Sequence, residues 1–190
     1  MMKCSAIILA GGKSSRMNYS PKALLEYEEE FFIDREIKAL NNFDEILISC
    51  NDSRIIEKVK GFTIIEDEIK DIGPIGGIYS ALKKIKNEKG IIVSCDMPFL
   101  NKEILEMLGK IEFEEDCLIP TLNGRLEPFC GIYKKEIIEK IYESIKEKEY
   151  SLRGMFKKLN IKKIEIKDEN NFTNINTVEE YDKLVLGNKL

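Results

Sequence analysis

Several short segments of this chain are apolar at consecutive positions, without the polar alternation of a half-exposed strand, and that limits the fold more than any other feature. Ala6 to Leu9, and Ile91 to Val93 within the strand-like Ile91 to Cys95, are the clearest cases. Such runs mark strands covered on both faces, the condition of a parallel sheet with helices above and below. Between the strand-like segments the pattern changes to a helical period. A helix is expected near Asp34 to Asn41, then a strand at Glu45 to Ser49, a short helix from Ser53 carrying Ile55, Ile56 and Val59, and a strand at Phe62 to Ile65. Pro74 stands where a first helical residue would, its missing N–H being unneeded there, and Ile75, Ile78, Tyr79, Leu82 and Ile85 follow on one face. Strand and helix in alternation predict an α/β fold with a doubly wound, largely parallel sheet.

The second half is less regular. Ile104, Leu105 and Leu108 mark a helix, Cys117 to Pro120 and Phe129 to Tyr133 read as strands, and Ile137 to Ile145 form an amphipathic helix. Ser151 is placed to cap a short helix, Ile161 to Ile166 alternates with period two, and Thr177-x-x-Glu180 is a capping-box pattern opening the last helix. No repeat or linker interrupts the 190 residues, so one domain spanning 1–190 is expected.

Composition removes several functions. The chain has 30 Lys and Arg against 34 Asp and Glu, a net charge of −4, and no basic stripe, which argues against nucleic acid as a partner. No apolar stretch is long enough to span a bilayer and no signal-like segment is visible, so a cytoplasmic protein with no membrane partner is expected. Histidine is absent, which excludes Ser-His-Asp and Cys-His catalysis. The five cysteines show no CxxC spacing and sit in apolar runs, so buried reduced thiols are expected. Chemistry must therefore rest on carboxylates, lysine, arginine and backbone amides, with or without a hard metal.

The candidate site residues gather at predicted strand ends. The first strand closes on Leu9-Ala10-Gly11-Gly12, a bare turn whose amides can approach an anion, and Arg16 and Lys22 follow. That is the equipment for a polyphosphate, although the loop matches neither the P-loop nor the dinucleotide motif, and a plain tight turn uses the same glycines. Asp96 follows Cys95 at a strand end. It is placed either to cap the next helix or, facing a polyphosphate, to hold Mg²⁺, which needs few protein oxygens when phosphates supply the rest. Asn51 and Asp67 end two other strands, as turn formers or as readers of a nucleoside. Gly76 and Gly77 lie in the first turn of a helix, where they either weaken it or admit a ligand to its N–H groups. Asn174 and Asn176 precede the last helix, as turn residues or as part of the site.

Taken together, these segments resemble the molybdenum cofactor guanylyltransferases, the MobA family of the nucleotidyltransferase fold. LAGGKSSRMNYSPK is similar to the family's opening L-A-G-G-x-S-x-R-M-G-x-D-K, IIEDEIKDIGPIGGI to its E-D…G-P-L-A-G-I, VSCDMPFL to its C-D-M-P-F-L, and FTNINTVEEY to its F-x-N-x-N-T-P-E-E-L. The likeness runs in order along the whole chain. It implies a three-layer, Rossmann-like α/β sandwich with one antiparallel strand. It further implies that Leu9, Ala10 and Gly11 contact the guanine nucleotide, with Gly12 beside the phosphates. Lys22 would bind the triphosphate, Asn51 and Asp67 the nucleoside, and Asp96 the nucleotide-bound Mg²⁺. Arg16 would assist the departing pyrophosphate, and Gly76, Gly77, Asn174 and Asn176 would lie near the acceptor or metal. Two positions depart from the pattern: Asn18 replaces a glycine, and Pro21 replaces an aspartate and restricts Ser20.

The resemblance implies transfer of GMP from GTP to the terminal phosphate of molybdopterin, with pyrophosphate released. It also implies transient contact with proteins that deliver the cofactor. The L-A-G-G form is more similar to guanylyl than to cytidylyl transferases. The alternatives are CTP or another phosphorylated acceptor, and a non-catalytic nucleotide sensor on the same fold.

Overall fold

The computed structural model describes residues 2–11 and 21–187. Ten strands and seven α-helices are formed among these: β1 Met2–Leu9, β2 Glu26–Tyr27, β3 Glu30–Phe31, α1 Phe32–Ala39, β4 Phe43–Ser49, α2 Ser53–Lys58, β5 Thr63–Ile65, α3 Pro74–Lys84, β6 Lys89–Ser94 and α4 Lys102–Lys110 in the first part. There follow β7 Cys117–Leu122, β8 Arg125–Leu126, β9 Cys130–Lys134, α5 Ile138–Lys146, α6 Leu152–Phe156, β10 Ile161–Glu165 and α7 Val178–Gly187. The main sheet is 8-stranded, ordered β10-β7-β9-β6-β1-β4-β5, with β8 paired to β7 off that path. β1 pairs in parallel with β4 and β6, and β4 with β5, while β9 runs antiparallel between β6 and β7.

The apolar runs are buried on both faces, as their lack of alternation requires. Cys4, Ala6 and Ile8 of β1 pack with Ile33 of α1, Leu40 just past its end, Ile55 of α2 and Leu105 of α4. Ile7 and Leu9 face the other way, against Ile75, Ile78 and Leu82 of α3, Ile141 of α5 and Met155 of α6. Three layers result. At about 25 cal/mol per Å² of apolar surface buried, these two clusters supply most of the drive to fold.

Local signals set the helix ends. Pro74 is the first residue of α3, entered through Gly73 at φ 71°, a backbone region that favours glycine. The Ser151 hydroxyl accepts from Gly154 N at 2.9 Å, opening α6. Thr177 and Glu180 form the reciprocal capping box, Glu180 N donating to Thr177 Oγ1 at 3.2 Å and Thr177 N to Glu180 Oε2 at 3.1 Å. Two hairpins were not foreseen: β2–β3, and β7–β8 closing through Asn123 and Gly124, both at positive φ. Strands of two residues are too short to show a period, which is why the pattern missed them.

The five cysteines are free and buried, and burial pushes the Cys4 and Cys50 thiols up to about 11. No helix among the described residues is long and apolar enough to cross a membrane.

Candidate active site at the carboxyl ends of the strands

The chain winds from β1 through α1 to β4 on one side of β1, then returns through α3 to β6 on the other. The order therefore reverses at the carboxyl end of β1, where open α/β sheets form their ligand crevice. Backbone bonds hold the strand ends together there. Ala10 N donates to Ser49 O at 2.9 Å, Cys50 N to Ile65 O at 3.1 Å, and Cys95 N to Leu9 O at 3.2 Å.

Three of the expected residues meet at this point. Lys22 Nζ donates to Asp96 Oδ2 at 2.9 Å and to Asn176 Oδ1 at 2.7 Å. The Lys22 and Asp96 side chains are only 20% and 16% exposed. An ammonium has three N–H groups, and among the described residues these bonds use two, leaving one able to meet an anionic ligand. Asp96 Oδ1 is buried with no hydrogen-bond partner among the described residues. Capping does not explain Asp96, because Asn101 caps α4, its Oδ1 accepting from Ile104 N at 3.0 Å. The Asp96 carbonyl accepts from Ile175 N at 2.8 Å, which anchors the segment carrying Asn176 to the end of β6. Asn174 is used differently, its Nδ2 donating to Phe172 O at 3.2 Å within its own turn.

Asp67 lies past β5, half-buried, with Ser49 Oγ donating to its Oδ1 at 3.4 Å. Burial raises its pKa, and the Ser49 bond and the Lys70 charge oppose that rise without cancelling it. Gly77 adjoins the same group. A Cβ there would stand 3.1 Å from Ser49 Oγ, 3.4 Å from Leu9 Cδ2 and 3.5 Å from Asp67 Oδ1. Gly76 is required by packing against the preceding loop, since its Cβ would lie 2.7 Å from Ile69 O. Asn51 is exposed just beyond β4, and Leu9 and Ala10 are buried where Gly11 becomes exposed. Gly12, Arg16 and Asn18 lie outside the described residues. Pro21 is buried, and its carbonyl accepts from Leu24 N at 3.0 Å to start the turn that presents Lys22.

Sequence reasoning missed two residues. Ser49 read only as a strand terminus. Glu36 is 2% exposed, and neither of its carboxylate oxygens has a partner among the described residues. Burial, and secondarily the charge of Asp96, hold its carboxyl well above the usual range. The signal was present: Glu36 falls one turn after Phe32 and Ile33 and one before Leu40, on the buried face of α1. Among the described residues no three or more of His, Cys, Asp and Glu are grouped to hold a metal, so Asp96 is the carboxylate to consider for one. Its orphaned Oδ1 fits that use, because Mg²⁺ is commonly held by one or two carboxylates plus substrate phosphates.

Solved structures share this architecture. Molybdopterin-guanine dinucleotide biosynthesis protein A from Archaeoglobus fulgidus matches with a TM-score of 0.81 at 23% identity, covering 98% of this chain and 100% of that one. A nucleotidyl transferase from Methanothermobacter thermautotroptrophicus matches with a TM-score of 0.77 at 15% identity, over 98% and 97% of the two chains. Among curated proteins, one from Clostridium perfringens named probable molybdenum cofactor guanylyltransferase is 44% identical over 97% of this chain and 98% of its own length. A protein of the same name from Bacillus mycoides is 34% identical over 95% of each. The fold and these relatives together define a nucleotidyltransferase enzyme. The chain belongs to the MobA-like NTP transferase family, whose domain profile matches residues 6–163.

Proposed function

We propose that this chain transfers GMP from GTP to the terminal phosphate of molybdopterin, in the cytoplasm. A phosphate oxygen of the acceptor attacks the α-phosphorus of GTP. The new O–P bond forms as the bond from the α-phosphorus to the bridging oxygen breaks, and pyrophosphate leaves with that electron pair. The step asks mainly for positioning and neutralisation of charge, so the lack of histidine is no obstacle.

The observation that carries this reading is the convergence of Lys22, Asp96 and Asn176 at the end of β6. Lys22 offers its third N–H to the triphosphate, held in place by the other two bonds. Asp96 would hold Mg²⁺ through Oδ1, and that ion supplies charge neutralisation at the phosphates. Arg16 and the Leu9–Gly12 backbone are assigned to the phosphates by their place in the sequence motif. Guanine presents two adjacent N–H donors on one edge, N1–H and the 2-amino group, and the Asp67 carboxylate, steadied by Ser49, can accept both. Cytosine offers that carboxylate only its 4-amino donor. GTP is therefore favoured over CTP, in keeping with the names of the curated relatives.

Pyrophosphate release, measured with each NTP, Mg²⁺ and molybdopterin, tests the proposal. Release is expected with GTP and only when the acceptor is present. Faster release with CTP would overturn the choice of nucleotide. Nucleotide binding without release, under any phosphorylated acceptor, would favour a sensor.

A further inference from the structure

Away from the strand ends, a slot of about 450 Å³ opens between β8, α6 and β10. Leu126, Leu152, Phe156 and Ile161 form its apolar part. Arg153, Lys157 and Lys163 line it as well, and no carboxylate does. These cations are notable in a chain of net charge −4. None of the three makes a side-chain hydrogen bond or ion pair among the described residues, although Lys157 lowers the pKa of Glu149 at a distance. The neighbouring acid Glu165 is already engaged, accepting from Thr121 Oγ1 at 2.5 Å and Asn123 N at 3.0 Å.

β10 is the last strand of the sheet and pairs only with β7, so its outer backbone edge is open among the described residues. Ile161 and Lys163 belong to that strand and to the slot at once. An open edge presents N–H and C=O groups to any strand that can approach. Lysines on it repel a second copy of the same edge, yet they favour a strand of opposite charge. A small molecule would use the slot and leave the edge idle, whereas an added strand uses both.

We propose that β10 and this slot form a docking surface for an extended acidic segment of a partner protein. The segment adds as a strand beside β10, seats an apolar side chain against Ile161 and Phe156, and sets its carboxylates against Arg153, Lys157 and Lys163. This reading is independent of the nucleotide and acceptor assigned above.

The test uses a capped ten-residue peptide alternating glutamate with valine, and a second with lysine in place of glutamate. The acidic peptide is expected to bind, more weakly as salt is raised, and to slow amide hydrogen exchange at residues 161–165. The triple variant R153E/K157E/K163E should weaken binding at least tenfold with an unchanged melting temperature, since all three side chains lie at the surface slot. Leu152→Asn should weaken it without altering the charge of the surface. Equal binding of the two peptides, binding that survives the triple variant, or no protection at 161–165 would overturn the proposal. So would equal competition by a single-stranded oligonucleotide of matched charge, which would make the surface a general polyanion patch.

Discussion

Replacing Lys22 with methionine tests the proposed site most directly, because the side chain keeps its length and loses only its charge and donors. Two bonds disappear, those to Asp96 Oδ2 and Asn176 Oδ1. Hydrogen bonds to charged groups contribute about 1.5–3 kcal/mol when both partners are largely out of water. The Lys22 and Asp96 side chains are 20% and 16% exposed, which puts each bond near the lower end of that range, about 3–4 kcal/mol for the two. Relief of the ammonium's own desolvation offsets about half of this, so unfolding should become easier by about 1.5–2 kcal/mol. For a chain of this size that corresponds to a fall of roughly 3–8 °C in melting temperature. The chemical effect is expected to be larger. Removing one donor aimed at developing charge slows catalysis by about 10²–10³, or 2.7–4 kcal/mol on the barrier. Pyrophosphate release under saturating GTP and acceptor measures the second quantity, and thermal melting the first. Lys22→Arg keeps a cation of different shape and should recover part of the rate. Turnover of the methionine variant within threefold of the parent, in a protein that melts as expected, would refute the assignment.

Asp67→Asn should cut the preference for GTP over CTP at least tenfold in kcat/KM, because an amide matches guanine's donor pair with only one acceptor; an unchanged ratio would remove Asp67 from base recognition. Because burial raises the Asp67 pKa, GTP affinity in the parent should decline on acidification at a higher pH than an ordinary aspartate would produce, as direct titrations of binding across pH will show. Glu36→Met should stabilise the fold by about 1–3 kcal/mol by removing two unsatisfied buried oxygens. Since the folded-state pKa of Glu36 is raised, native stability is full below the unfolded-state value and is lost as pH climbs towards the folded one. The gain from methionine should therefore grow with pH across that window, and a pH-independent difference in chemical denaturation would contradict the burial argument. Asn101→Ala should cost about 1 kcal/mol and fray α4, whereas Asp96→Ala should abolish transfer and leave α4 helicity by circular dichroism intact.

Much of the fold was legible because its signals are local. Pro74 starts α3, Ser151 caps α6, and Thr177 with Glu180 opens α7, each within a few residues of the feature it controls. Gly76 shows the opposite case. In the sequence it read either as a weak helix start or as room for a ligand, and in the structure it gives clearance to the carbonyl of Ile69. A glycine records that a side chain is unwelcome and does not say what would be struck. The asparagine pair carried a similar ambiguity, which the structure separates by sending Asn176 to Lys22 and folding Asn174 onto Phe172 O.

By itself the sequence determined the layers and the end of the sheet at which the candidate residues would gather. Unbroken apolar runs require cover on both faces, and polar residues placed just after them must emerge at the carboxyl ends. Only the tertiary structure decided which of those residues meet. Lys22, Asp96 and Asn176 are separated by up to 154 positions in the chain and by hydrogen-bond distance in space. The burial of Glu36 behind them was decided in the same way. Periodicity fixes the face a residue occupies; its partner depends on how the sheet is ordered, and that order is set by the packing of the whole chain.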